Sequence, residues 1–152
     1  MKIGIIKETK IPEDNRGALS PQQVAKLQSD YSGCEIVVQA SDVRSYRDDE
    51  YRCMGINVVE SVDDCDVLFG IKEADIKTLL PGKHYFFFGH IAKMQSYNRP
   101  LLQNMIKKGI TFSPEEMSFV LAILKDGKSK EEQAQIDRMV RMVSGYAKRA
   151  GK

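Results

Sequence analysis

Residues 84–90 read HYFFFGH: four consecutive aromatic residues between histidines, with a glycine before the second. An exposed strand alternates apolar and polar residues, whereas a strand covered on both faces reads as an unbroken apolar run. The same continuous pattern recurs in KIGIIKE (Lys2–Glu8), CEIVVQ (Cys34–Gln39), INVVE (Ile56–Glu60) and DVLFGIK (Asp66–Lys72), and a short sixth run, ITF, closes at Phe112. Between these runs lie helical patterns. Ser20 is an N-cap with Pro21 at the first helical position and Gln23 placed to complete a capping box. DDEYRCMG (Asp48–Gly55) is a short helix ended by glycine. NRPLLQNMIKKG (Asn98–Gly109) is an amphipathic helix with Pro100 in its first turn and Gly109 just past its end. Strand and helix in alternation, with buried strands, predict a doubly wound α/β fold with a mostly parallel sheet, Rossmann-like or flavodoxin-like.

After Phe112 the character changes. SPEEMSFVLAILKDG and SKEEQAQIDRMVRMVSGYAKRAGK each open with a serine cap and carry apolar residues at helical spacing, which predicts a C-terminal helical hairpin. The expected division is therefore an α/β domain over residues 1–112 and a helical extension over 113–152.

The 152 residues suffice for one ordinary domain without disulfide or metal support. The charge balance, 23 basic against 21 acidic residues, gives no general reason to expect nucleic acid. Three cysteines, at positions 34, 53 and 65, are odd in number and widely spaced, as in a protein of a reducing compartment. The first residues are charged too early for a secretion signal, and no apolar run approaches the ~20 residues that span a bilayer. These features predict a cytoplasmic chain without membrane or nucleic-acid partners.

Three polar residues follow strand ends: Arg16 in the loop after the first strand, Lys72 closing the fourth, and His90 closing the fifth. In a parallel sheet all three project toward one edge, where ligands of open α/β sheets bind. Each has an ordinary reading too: His90 as a hydrogen-bonded strand-end histidine, Lys72 as an ion-paired neighbour of Glu73, Arg16 as a partner of Asp14 or Glu13. Together they suit a small oxo acid or amino acid. The arginine fork matches a carboxylate, the lysine holds a second carboxylate or polarises a carbonyl, and the imidazole exchanges a proton near neutrality. No G-x-G-x-x-G follows a strand, no phosphate-binding loop is present, and metal-ligand spacing is absent. His84 and His90 would stand ~20 Å apart along one strand, too far to share a metal.

The segments KIGIIKETKIPEDNRGALSPQQV (2–24), DVLFGIKE (66–73) and YFFFGHIAKMQSYNRPLLQNMIKKGITF (85–112) resemble the N-terminal domain of the alanine dehydrogenase and pyridine nucleotide transhydrogenase superfamily. The third segment is most similar to the branch of lysine-forming saccharopine dehydrogenase. That resemblance implies an NAD(P)-linked interconversion of oxo acid and amino acid. It implies that Arg16 binds the substrate carboxylate, that Lys72 contacts substrate and takes part in proton transfer, and that His90 acts as acid or base. Two departures stand out. Gly17 replaces the family's usual apolar residue and is expected to loosen the Arg16 loop. The family's second domain, which carries the nicotinamide site, has no counterpart in the chain, so no cofactor is expected on this chain alone. The chain then reads as a substrate-side half, inactive by itself and partnered by a separate NAD-binding chain or by its own copies. The alternatives are a non-enzymatic carboxylate-binding module or an inactive remnant.

Overall fold

The computed structural model describes residues 1–88 and 96–112. The expected helical hairpin lies outside them. The six expected strands all form: β1 (Lys2–Ile5), β2 (Glu35–Gln39), β3 (Asn57–Val59), β4 (Val67–Lys72), β5 (His84–Phe88) and β6 (Thr111–Phe112). They build one sheet in the order β3-β2-β1-β4-β5-β6, and every pairing is parallel. Rossmann-like topology thus follows from the unbroken apolar runs, because parallel strands need both faces covered.

The two faces hold two separate cores. Ile5, Ile36, Val38, Val67, Phe69 and Phe86 point to the face where Val24 and Tyr51 pack from the helices. Val37, Leu68, Tyr85 and Phe87 point the other way, toward Leu101 and Met105. Adjacent strand residues alternate between these groups, as a pleated strand requires.

Helix α1 (Pro21–Asp30) starts where its sequence places it. The Ser20 hydroxyl accepts from the Gln23 amide, and the Gln23 side chain accepts from the Ser20 amide. Helix α2 (Asp48–Cys53) carries Asp48, Asp49 and Glu50 in its first turn, where the helix dipole favours negative charge. Helix α3 (Arg99–Lys107) follows a 3₁₀ turn over Ser96–Asn98 and buries Leu101 and Met105, four residues apart on one side.

Between β3 and β4 there is no helix. The connecting loop lies directly on β1 through Val62 and Cys65. A β-carbon added to Gly4 would stand 2.9 Å from Cys65 Sγ and 3.1 Å from Val62 Cγ1, so this close approach requires glycine. The chain then emerges in β4, on the far side of β1 from β2. This reversal makes the carboxyl ends of β1 and β4 the topological switch point, the place where open α/β sheets bind ligands.

Candidate functional site at the ends of strands β1 and β4

Strand β1 stops at Ile5, but β4 runs on to Lys72. Beyond the last backbone bond between them, from the Ile6 amide to the Phe69 carbonyl at 2.9 Å, the side chain of Glu8 replaces the missing strand. Its Oε1 accepts the Ile71 amide at 2.6 Å and its Oε2 the Lys72 amide at 2.9 Å. In a regular strand, consecutive amides point to opposite sides. The pairing of β4 with β5 shifts register between Phe69 and Lys72, and this bulge lets both amides reach one carboxylate. Gly70 makes room for it, since a β-carbon there would lie 2.9 Å from Ile6 Cδ1 and 3.4 Å from Glu8 Oε1. Burial raises the Glu8 carboxyl above its usual range, against the pull of the two amides.

Arg16 lies in the loop between β1 and α1 with its side chain 59% exposed. It forks onto Asp14, Nε to Oδ1 at 2.8 Å and Nη2 to Oδ2 at 2.5 Å. This is the ordinary partner that the sequence offers it. The hydrogen bonds from Arg16 hold the Asp14 carboxyl at about 2, and the ammonium of Lys72 acts on it in the same direction. Arg16 in turn acts electrostatically on Glu8. Arg16, Asp14, Glu8 and Lys72 thus stand at one edge of the sheet, Arg16 bonded to Asp14 and the Lys72 amide bonded to Glu8. His90, two residues beyond β5, lies outside the described residues.

A second ion pair stands beside the first. Lys10 binds Glu73, whose other oxygen, Oε2, is buried and makes no hydrogen bond with the described residues. Burial pushes the Glu73 carboxyl up, but Lys10 and Lys72 outweigh it and hold it below its usual range. On the β2 side of Glu8 opens a polar hollow of about 460 Å³, lined in part by Lys7, Lys10, Asp42 and Asp48; Arg16 and Lys72 lie outside its lining.

Gly17, expected to loosen the Arg16 loop, stands in a close contact that leaves no room for a side chain. Gly17 packs against Arg44, whose side chain is only 3% exposed, and a β-carbon at position 17 would stand 2.9 Å from Arg44 Cδ. Arg44 is fully engaged. It donates to Asp48 Oδ1 at 2.6 Å, to the Gln39 carbonyl at 3.0 Å and to the Tyr46 carbonyl at 3.1 Å, and its guanidinium lies 4.7 Å from the Tyr51 ring centre. Ser45 ties the same segment to the loop, its amide and hydroxyl both donating to the Asn15 carbonyl.

Sequence reasoning passed over Glu8, Lys10 and Arg44. One signal for Glu8 was present: the tripeptide Ile-Lys-Glu directly follows β1 (6–8) and recurs at the end of β4 (71–73), the two strands that meet at the switch point. Arg44 gave none, because an arginine in a polar loop reads as solvated until its burial is known.

Among the described residues, the ends of β1 and β4 do not fit a dinucleotide. A pyrophosphate at a switch point rests on a glycine-rich turn and free amides at a helix N-terminus. Here the turn after β1 places the Glu8 carboxylate in the crevice, and the capping box engages the Ser20 and Gln23 amides at the start of α1. Among the described residues no group of three metal-ligating side chains occurs, and no helix is long and apolar enough to cross a membrane.

Comparison with known proteins agrees with this architecture. Residues 4–118 match the family described as "Alanine dehydrogenase/PNT, N-terminal domain". The chain is 33% identical over 119 residues to the alpha-aminoadipic semialdehyde synthase of Arabidopsis thaliana, and 30% identical over 97 residues to the mitochondrial enzyme of that name from Bos taurus. The matches cover 76% and 64% of this chain, but it spans only 11% and 10% of those relatives. Among solved structures, a transhydrogenase from Sinorhizobium meliloti superposes with a TM-score of 0.63 at 23% identity, over 76% of this chain and 35% of that one. An L-alanine dehydrogenase superposes at 0.60 with 24% identity, over 74% and 31%. These two likenesses establish the fold, and the family match covers most of the sequence: the chain belongs to the alanine dehydrogenase/PNT N-terminal domain family.

Proposed function

We propose that this chain is the substrate-side module of an NAD(P)-linked amino-acid dehydrogenase, binding a small oxo acid or amino acid at the joined ends of β1 and β4. The observation that carries the reading is the carboxylate of Asp14, gripped by the Arg16 fork and acted on by Lys72. A guanidinium that forks onto an internal carboxylate, with an ammonium near enough to act on the same group, has the chemistry to hold the carboxylate of a ligand, and the position is the one where such sheets bind ligands. Arg16 binds the substrate carboxylate. Lys72 contacts the adjacent carbonyl or amine and takes part in proton transfer, and His90 is its acid–base partner.

The crevice does not suit a dinucleotide, so in this reading the NAD(P) is held by another segment or another chain, and the module alone catalyses no hydride transfer. The Asp14 contact also supports a second reading, in which Arg16 is closed off and the site is an inactive remnant. Calorimetric titration with pyruvate, 2-oxoglutarate, L-alanine and L-lysine separates the two. Binding that disappears in Arg16→Ala and in Lys72→Ala supports the module. Absence of heat with all four compounds sinks it.

A further inference from the structure

We infer that Glu8 is the positioning residue of the site: its carboxylate holds the bulge at the end of β4 and so fixes the backbone from which Lys72 projects. The assignment rests on the reading of Lys72 given above, but its structural basis is independent of any ligand.

Three observations converge on it. Glu8 binds the amides of Ile71 and Lys72 together, at 2.6 and 2.9 Å, across 63 and 64 residues of sequence. The register shift lies in the stretch ending at Lys72, so the two strand neighbours alone do not specify how the last residues of β4 turn. Gly70 and Ile6 shape the space through which Glu8 reaches those amides. A carboxylate bridging successive amides gives a fixed anchor, and side chains hold working geometry only when the backbone beneath them is fixed. Glu8 acts on Lys72 through the main chain and touches no substrate atom in this scheme.

The surroundings make the anchor sensitive to charge. Burial raises the Glu8 carboxyl, the nearby Asp14 carboxylate adds to the rise, and Arg16 opposes it. The charged groups sharing the adjoining hollow are Lys7, Lys10, Glu13, Asp42, Asp48 and Glu60. Protonated Glu8 keeps one good acceptor for two amides, so the grip on the bulge weakens as pH falls through its raised pKa.

The test uses the full chain with its lysines reductively ¹³C-methylated, and follows the dimethyl-Lys72 signal, assigned by its loss in Lys72→Ala. Glutamine at position 8 keeps the size of glutamate but offers one acceptor and turns a donor toward the second amide. The signal should show an inflection above pH 4.5 in the wild type. In Glu8→Gln it should shift and lose that inflection, while Glu8→Asp should restore part of both. A Lys72 signal unchanged in position and pH response in Glu8→Gln overturns the assignment. In parallel, 2-oxoglutarate is titrated into both proteins. Where the wild type binds it, Glu8→Gln should weaken binding about tenfold; an equal affinity counts against the role. A wild type that binds none of the acids sinks the reading of the site, and the methyl-lysine signal then decides the role of Glu8 alone.

Discussion

Arg44 stands where a side chain at position 17 would have to go: a β-carbon on Gly17 would meet Arg44 Cδ at 2.9 Å and the Tyr51 hydroxyl at 3.3 Å. The buried guanidinium has three acceptors and an aromatic face around it, so moving it would break contacts it makes where it is. The glycine and the arginine therefore form a unit beneath the Arg16 loop. Gly17→Val should destabilise the protein by about 1–3 kcal/mol through overpacking. Arg44→Ala should cost about 3–5 kcal/mol, because it removes the charge partner of the partly buried Asp48 carboxylate and empties the space. The double variant should be more stable than the sum of the two predicts, by more than about 0.5 kcal/mol, since valine then enters vacated volume. Urea unfolding of the four proteins measures this, and additivity within error would show that the contact does not couple them.

Asp14 occupies the Arg16 fork, the group to which the proposed function assigns the substrate carboxylate. Its carboxyl is held at about 2 by Arg16, so its contribution to stability is present above the unfolded value near 3.8 and is lost as pH falls from there toward 2. That contribution is small, because Arg16 is largely exposed and solvent screens the pair. Asp14→Asn should tighten binding of pyruvate about two- to fivefold at neutral pH, the range expected for releasing one exposed pair. Calorimetry on the two proteins decides it, and weaker binding in Asp14→Asn would mean that Asp14 orients Arg16 instead of blocking it.

Much of this arrangement was legible in the sequence, and its limits have physical reasons. Uninterrupted apolar runs gave the parallel sheet, since only strands covered on both faces tolerate them. Ser20, Pro21 and Gln23 gave the start of α1 because a capping box is a local hydrogen-bond pattern. Strand ends put Arg16 and Lys72 on one edge. What distance in sequence hid was contact between elements. Glu8 meets the Lys72 amide across 64 residues, and nothing local distinguishes a glutamate that bonds a strand end from one in water. Glycine is flexible in isolation, which suggests looseness at Gly17, whereas the close approach of Arg44 there depends on packing across 27 residues of sequence. The bulge in β4 was likewise invisible, because register is settled between strands and not within one.

The cysteines differ enough in environment to be told apart chemically. Cys65 is fully buried beneath Gly4, and burial together with the neighbouring Asp64 carboxylate pushes its thiol up to about 11. Cys53 is exposed at the end of α2, and Cys34 is partly covered. At pH 7.5 a disulfide reagent such as dithionitrobenzoate should label Cys53 first and Cys34 more slowly. Cys65 should react only when urea unfolds the chain. Mass spectrometry of the adducts over time reads the order. Labelling of Cys65 as fast as Cys53 in folded protein would mean that the loop between β3 and β4 lifts off β1.

His84 is expected to contribute to the loss of stability on mild acidification. It begins β5, its ring stacked on Phe86 at 4.5 Å between centres, and burial lowers its pKa below the usual 6.5. A lowered pKa means that the unfolded chain binds the proton more tightly than the folded one. The stabilising contribution is therefore present above pH 6.5 and is lost as pH falls from there through the folded value. The midpoint of urea unfolding should drop between pH 7.5 and pH 5.5, and His84→Gln should flatten that slope while lowering stability at the higher pH, because the stacking on Phe86 is lost. His90→Gln serves as the comparison, replacing the other histidine of the chain. If His84→Gln keeps the full wild-type slope and His90→Gln removes it, the titrating group is His90, and the acid sensitivity arises beyond the end of β5 and not from its buried start.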